Sequence, residues 1–373
     1  MLTEHLATKI VSRTMAIIHR NVNVMDKTGT IIASGDHSRY GQRHDGARQV
    51  LMKNRIVEIY SKTINRWKGS QPGINLPIRF QDKIVGVIGI TGEPDDIRSY
   101  SKLVQMGAEL TIEQAFLMNE IERNQQMRRN FITSILLGVE ATGDYVLERA
   151  RYLNISTTET FAVIIISPLN NNICLEKIER DIQSLLTDGD ECVHLFHRRY
   201  VILKKINRHL NTSETLKTFI QNHSSLSLLS HTTIAISSLA NGVDSWRTLY
   251  KEAKHIQEVT DILYPNGGVW NSHDLELALF SYHLLKDSPY IAEKMIAKYK
   301  HLFSVEDGDT LHQTLLTYIS ENGKMRKTAE KLFIHRNTLT YRLEKIKHVT
   351  GKDPKKLQDL LSLAVSQLLY MLA

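Results

Sequence analysis

The chain has 373 residues, 42% hydrophobic and 23% charged, and 47 Lys and Arg against 40 Asp and Glu leave a net charge of +7; this composition fits a globular protein of two or three domains. No apolar run nears the roughly 18 to 20 residues that span a bilayer, the longest conspicuous one being Phe161 to Ile166, and no signal-peptide core opens the sequence, so no membrane role and a cytoplasmic location are expected. Cys174 and Cys192 form neither a CxxC pair nor a disulfide framework, and the histidines supply no metal set, since His194 and His197 lie three apart in a strand-like run and face opposite ways.

The first expected elements are two hairpins of an antiparallel sheet. Asn23 to Ser34 places two short apolar runs around Asp26-Lys27-Thr28-Gly29, and Leu76 to Gly92 does the same around Gln81-Asp82-Lys83. Between them, Gly35, Arg39, Gly41, Arg43, His44, Gly46 and Arg48 lead into a helix-like run from Ala47 to Asn54. Amides at a helix start with flanking Arg and His suit a carboxylate; a surface loop with its charges in water is the other reading of the same residues.

Three stretches in this region resemble the sugar-diacid recognition domain of carbohydrate diacid regulators: VNVMDKTGTIIASGD, the loop Arg39-x-Gly41-x-x-His44-x-Gly46-Ala47, and GINLPIRFQDKIVGVIGITGEP at Gly73 to Pro94. The resemblance covers residues 1–135 and implies a sensor for a small carboxylate effector such as glycerate, glucarate or galactarate. It places effector binding at Arg39, Gly41, His44, Gly46, Asn75 and Thr91. By chemistry, Arg39 and His44 would hold carboxylate, and Asn75 and Thr91 would bond hydroxyls.

From Asp95 to Leu137 only Gly107 interrupts a helical pattern in which Leu103, Leu110 and Leu117 recur every seven residues beside Met106. A long helix is expected to leave the sensor, its leucines packing on the parent domain or pairing with a second copy. Strand and helix patterns then alternate: Thr160 to Ser167, Glu176 to Leu186, Cys192 to Ile206 as a hairpin, Thr233 to Ser237, and a helix over Ser245 to Leu263. This α/β region, 140–275, resembles the degenerate GGDEF-like domain of the same regulators. At the hairpin turn, where a cyclase would place glycines and metal-binding acids, the chain has His197-Arg198-Arg199-Tyr200, so two-metal nucleotide chemistry lacks its ligands. Gly267-Gly268 reads as a turn.

The last region, 276–373, reads as helices over Leu275 to Leu285, Tyr290 to Phe303 and Thr310 to Ile319, ended by Asn322-Gly323. In KTAEKLFIHRNTLTYRLEKI, Lys327 to Ile346, Ala329 and Leu332 mark one short helix, Phe333-Ile334-His335 a turn, and Leu339, Leu343 and Ile346 a second helix. That second helix turns Arg336, Asn337, Thr338, Thr340, Tyr341, Arg342 and Lys345 away from the core, which suits double-stranded DNA. From Lys324 to Lys356, eleven Lys or Arg face three acids, a local charge of +8 and the footprint of phosphate binding. Ala329 and Arg336-Asn337-Thr338-Leu339 resemble the Fis-like helix-turn-helix that closes PucR-type regulators. Phe333 departs from the glycine common in such turns. Asp359 to Leu372 is apolar nearly all round and is expected to be buried on the helix-turn-helix or in a dimer interface.

The expected architecture is therefore multidomain α/β plus all-α: an N-terminal α/β sensor with an antiparallel sheet, a central degenerate GGDEF-like α/β domain and a C-terminal Fis-like helix-turn-helix. No Walker-type loop, HExxH or nucleophile elbow appears, so no enzyme, catalytic residue, metal or cofactor is expected. The function expected is a ligand-responsive, homodimeric transcriptional activator of sugar-diacid or glycerate catabolism genes. A regulator of the same architecture answering another acid, or a nucleotide-processing enzyme, is the alternative.

Overall fold

The computed structural model describes residues 2–139, 143–169, 175–195, 199–207 and 209–373. The chain divides into two compact units, Met1–Gln126 and Met127–Ala373.

The first unit is built on a five-stranded antiparallel sheet of β1 (Val22–Met25), β2 (Ile31–Ser34), β3 (Val57–Ile59), β4 (Gly73–Phe80) and β5 (Lys83–Thr91), in the order β2-β1-β5-β4-β3. Both expected hairpins are present. The β4–β5 hairpin turns on Gln81 and Asp82, both at positive φ (50° and 60°), as the right-handed strand twist requires of a two-residue connection. Residues of alternating direction serve the two faces. Ile74, Leu76, Ile78, Ile88 and Ile90 pack with helices α1 (Glu4–Ile18) and α3 (Pro94–Leu137), while Val57, Ile59 and Val87 pack with Ala47 and Val50 of α2 (Asp45–Lys53). Helix α1 precedes the first expected element, Asn23; Thr3 caps it by accepting from the Leu6 amide.

Helix α3 has the expected length, but its leucines do not pack on the parent domain. Leu103, Leu110 and Leu117 are 63, 55 and 53% exposed, and the sheet is met instead by Ile97, Val104, Ala108 and Ile112. At about 100° per residue the two sets lie on opposite faces, and a seven-residue spacing alone does not say which of two apolar stripes faces inward.

The second unit, continuing from α3, holds α4 (Asp144–Tyr152) and a sheet ordered β10-β9-β6-β8-β7, with β6 (Thr160–Pro168) central, β7 (Glu191–Leu195) and β8 (Arg199–Lys205) as a hairpin, and β9 (Thr232–Asn241). Strand β10 (Gly268–Asn271) lies parallel to β9, so the expected turn at Gly267-Gly268 also opens a strand. Helices α5 (Leu175–Leu185), α6 (Ser213–His223), α7 (Leu226–His231) and α8 (Trp246–Leu263) complete this part. It is followed by α9 (Glu276–Asp287), α10 (Pro289–Lys300), α11 (Gly308–Ser320), α12 (Met325–Lys331), α13 (Arg336–Thr350) and α14 (Leu357–Leu372).

One core runs across position 275: Leu275, Ala278, Tyr282 and Leu372 join Trp246, Leu249 and Ile256 under β6 and β8. Apolar α14 is thus covered in part within the chain, while Leu357, Leu361 and Met371 stay exposed. Leu363 enters the core of α11–α13, Val365 and Leu369 pack on α10, and Leu372 reaches α8 and α9. Burial on these sides accounts for the apolar character of Leu363, Val365, Leu369 and Leu372.

Candidate functional site

In the first unit the residues with chemistry gather on the α2 face of the sheet. Asp36 accepts from the Ser38 amide and starts a 3-10 turn, His37–Arg39, that drives Arg39 inward. Arg39 is 6% exposed; its Nη2 donates to the Gly69 carbonyl at 2.7 Å and its Nη1 to Gln71 Oε1 at 3.4 Å. None of the described ion pairs within 4.0 Å involves it, so burial lowers its pKa against a weaker opposing pull from Asp36. Gly41 turns the chain at φ 76°, a conformation that costs other residues strain.

His44 then caps α2, its Nδ1 accepting from the Ala47 amide at 3.2 Å with Ser70 Oγ at 3.4 Å. It is 3% exposed, and burial, then the Arg39 charge, push its pKa down to about 4. The ring is neutral near pH 7 with its proton on Nε2, as the bond at Nδ1 dictates. A carboxylate at this place would meet one neutral N–H donor at His44 and the positive charge at Arg39.

Gly46 lets α2 approach the sheet: a Cβ there would stand 2.8 Å from Asn75 Nδ2 and from Ile59 Cδ1, and 3.0 Å from His44 Cε1. Asn75, 2% exposed, lies opposite Gly89, where a side chain would meet Asn75 Oδ1 at 2.8 Å. Thr91 stands two residues along, opposite Gly73 and half-buried. Asn75, Gly46 and His44 are thus brought together beside Arg39, while Gly41 shapes the loop and Thr91 marks the strand end. Sequence reasoning missed Asn23, also 2% exposed, which accepts from Ser34 Oγ at 2.6 Å and is in register with Gly89. Ser34, Asn23, Gly89 and Asn75 make one row across the sheet; the signal available was an asparagine inside the apolar run Val22-Asn23-Val24-Met25.

The His44 shift predicts a pH dependence. Its folded pKa, about 4, lies below the 6.5 of the free side chain, so the neutral fold is favoured above pH 6.5 and the advantage is lost as pH falls towards 4. The loss is roughly 3 kcal/mol. Chemical unfolding from pH 8 to 4 should show this fall in the wild type and a flatter profile in His44→Gln; parallel profiles would contradict it.

At the other end of the chain, α12 and α13 pack through Ala329, Leu339, Leu343 and Ile346 against Leu311 and Leu315 of α11. His335 caps α13, its Nδ1 accepting from the Asn337 amide at 3.3 Å. The turn keeps the geometry usually given to glycine, with Phe333 at φ 54° and its side chain 96% exposed; the strain of roughly 1 kcal/mol is outweighed by the packed helices on either side.

Arg336, Asn337, Thr338, Thr340 and Tyr341 are exposed along the outer face of α13. Arg342 and Lys345 turn back towards α11: Arg342 Nη1 donates to Thr314 Oγ1 at 3.3 Å, and Lys345 bonds Asp307 at 2.5 Å. The local +8 also overstates the free charge, because Lys331, Lys345 and Lys352 meet Glu321, Asp307 and Asp359 from outside that window, while Arg326, Lys347 and Lys355 meet acids already counted in it. Among the described ion pairs none involves Lys324, Lys327, Arg336, Arg342 or Lys356. Of these, Arg342 is held by Thr314, and Lys324, Lys327, Arg336 and Lys356 have no ion-pair partner among the described residues.

In the middle of the chain, Phe196, His197 and Arg198 of the hairpin turn, and Cys174, lie outside the described residues. Arg199 and Tyr200 begin β8, Cys192 is a free thiol whose pKa burial raises to about 11, and Lys204 forms a buried ion pair with Asp190 at 2.6 Å. Among the described residues no group of three His, Cys, Asp or Glu could hold a metal, and no helix is long and apolar enough to cross a membrane.

Comparison with known families assigns residues 2–135 to sugar diacid recognition, 140–259 to a GGDEF-like domain and 311–369 to the PucR C-terminal helix-turn-helix domain. Over 97% of its length the chain is 31% identical to the carbohydrate diacid regulator of Escherichia coli, covering 97% of that protein. An uncharacterized protein of Haemophilus influenzae is 33% identical over 99% of both chains. One of Bacillus subtilis is 26% identical over 98% of this chain and 97% of its own.

Proposed function

The chain belongs to the carbohydrate diacid regulator family, and from that premise we propose that it activates genes for uptake and breakdown of a sugar diacid or glycerate, in the cytoplasm, when that acid binds its first unit. The observation that carries the sensor half of this reading is Arg39, a buried guanidinium without a carboxylate partner among the described ion pairs. A buried cation is stable only when compensated, and an effector carboxylate supplies what two neutral acceptors do not. Asn75, Asn23 and the His44 N–H stand where hydroxyls of such an acid find donors and acceptors, with Gly46 and Gly41 shaping the backbone and Thr91 at the rim.

The DNA-binding half rests on the outer face of α13. Arg336, Asn337, Thr338, Thr340 and Tyr341 suit base edges and the adjacent phosphates, and Arg342 and Lys345 join the phosphate contacts if they exchange their partners on the α11 side. Two copies of the chain would read half-sites about 34 Å apart or a multiple of that. Binding energy reaches DNA only if the acid prefers one of two arrangements of the protein.

Thermal unfolding of the full chain with glycerate, glucarate, galactarate and neutral sugars tests the sensor reading, because a ligand that binds the folded state alone raises its stability. A rise with an acid and none with neutral sugars is expected. Stabilisation by neutral sugars alone, or by none of these compounds, would remove the proposed effectors; a different hydroxylated acid acting at Arg39 is the second reading, and stabilisation by an acid outside this set that is lost in Arg39→Met would favour it.

A further inference from the structure

Helix α3 is apolar on two faces, and only one is covered by its own unit. Beneath it Ile97, Val104, Ala108 and Ile112 meet the sheet. On the opposite face Leu103, Met106, Leu110, Leu117 and Ile121 are each half or more exposed, a stripe about 27 Å long. A helix that meets water on one side is normally polar there. Beside the first turns of the stripe, a groove of about 330 Å³ opens between α1 and α3, lined by Ile17, Tyr100, Leu103 and Gly107. A Cβ on Gly107 would touch nothing within 4 Å.

We propose that this face binds a second copy of the chain, with the two α3 helices parallel and in register. The leucines recur every seven residues, a spacing that sets identical helices side by side with each leucine next to its counterpart. Asn124, exposed, continues the series by one heptad; in a parallel pair it meets itself, and a polar residue at such a position fixes register. The charges agree with a copy as partner. Arg13 lines the groove edge, and exposed Glu113 stands on the other edge below Lys102, Glu109 being held within its own copy by the Arg79 amide and Gln105, so a two-fold axis sets Arg13 of each copy on the side of Glu113 of the other. The inference rests on the dimeric reading above and names its surface.

Sedimentation of the full chain at micromolar concentration, with and without Leu110→Glu, tests it. The wild type should be a dimer, and the variant should dissociate at least 100-fold more readily with an unchanged circular dichroism spectrum, because residue 110 faces solvent within one copy. Leu103→Cys and Leu117→Cys, each placed in a Cys174→Ser/Cys192→Ser background, should each cross-link to its own counterpart under mild oxidation, since an antiparallel pair brings at most one of the two positions to its counterpart. A dimer that survives Leu110→Glu, or one in which residues 103 and 117 do not both cross-link, overturns this surface and leaves the dimeric reading standing; a wild type that stays monomeric on operator DNA overturns both.

Discussion

Replacing Arg39 with methionine is expected to abolish the effector-induced rise in melting temperature, with affinity falling about 100-fold or more. Breaking a buried charge pair costs about 3–5 kcal/mol, and Arg39 is the cation driven under the loop by the 3-10 turn. Stability without ligand should change little or rise, because the substitution removes a buried charge that, among the described residues, is hydrogen-bonded by the Gly69 carbonyl and Gln71. Arg43→Met, in the same loop but exposed, should leave the effector response intact. Equal responses in wild type and Arg39→Met would show that the acid does not bind through this guanidinium. His44→Gln is the informative companion. Since the imidazole is neutral near pH 7, its loss should weaken binding by the share of one hydrogen bond, well short of the Arg39 effect.

The second large effect belongs to the outer face of α13. Asn337→Ala and Tyr341→Ala should each weaken operator binding by about 1–3 kcal/mol, the range of a lost base contact, with the effector-induced thermal shift unchanged. Both side chains are exposed and lie away from Leu339, Leu343 and Ile346, which hold the helix to α11. Arg342→Ala is a less clean probe, because its guanidinium bonds Thr314 within the fold. Lys327→Ala should act differently, weakening all DNA sequences alike and reducing the salt dependence by about one counterion. Fluorescence anisotropy with operator and scrambled duplexes at several salt concentrations separates these outcomes. If Asn337→Ala bound both duplexes as the wild type does, α13 would not be the reading helix.

Much of the chain was legible in its sequence because local signals and global fold agree there. Turn residues bracketed by alternating apolar runs marked β1–β2 and β4–β5, and the β6, α5, β7–β8 and α8 segments were legible for the same reason. Leu339, Leu343 and Ile346 marked the buried side of α13, and so the exposed side as well. Helix α1 was missed, although Thr3 and Glu4 form an N-terminal signal, and β10 was hidden in a glycine pair whose second member starts a strand.

What the sequence determined by itself was the order of elements, the helix-turn-helix and the family, because periodicity, capping and motif are properties of neighbours along the chain. Which of two apolar stripes on α3 faces the sheet, that burial pushes the His44 pKa down, that Arg39 is buried without a carboxylate partner among the described ion pairs, and that six of eleven local cations are paired were decided only by the tertiary structure. Each depends on groups distant in sequence: a sheet that chooses the inner stripe, a loop that takes the water from around His44 and Arg39, and acids such as Asp307, Glu321 and Asp359 that lie outside the basic window yet meet its cations. Burial and charge pairing act through space, and a count along the chain does not register them.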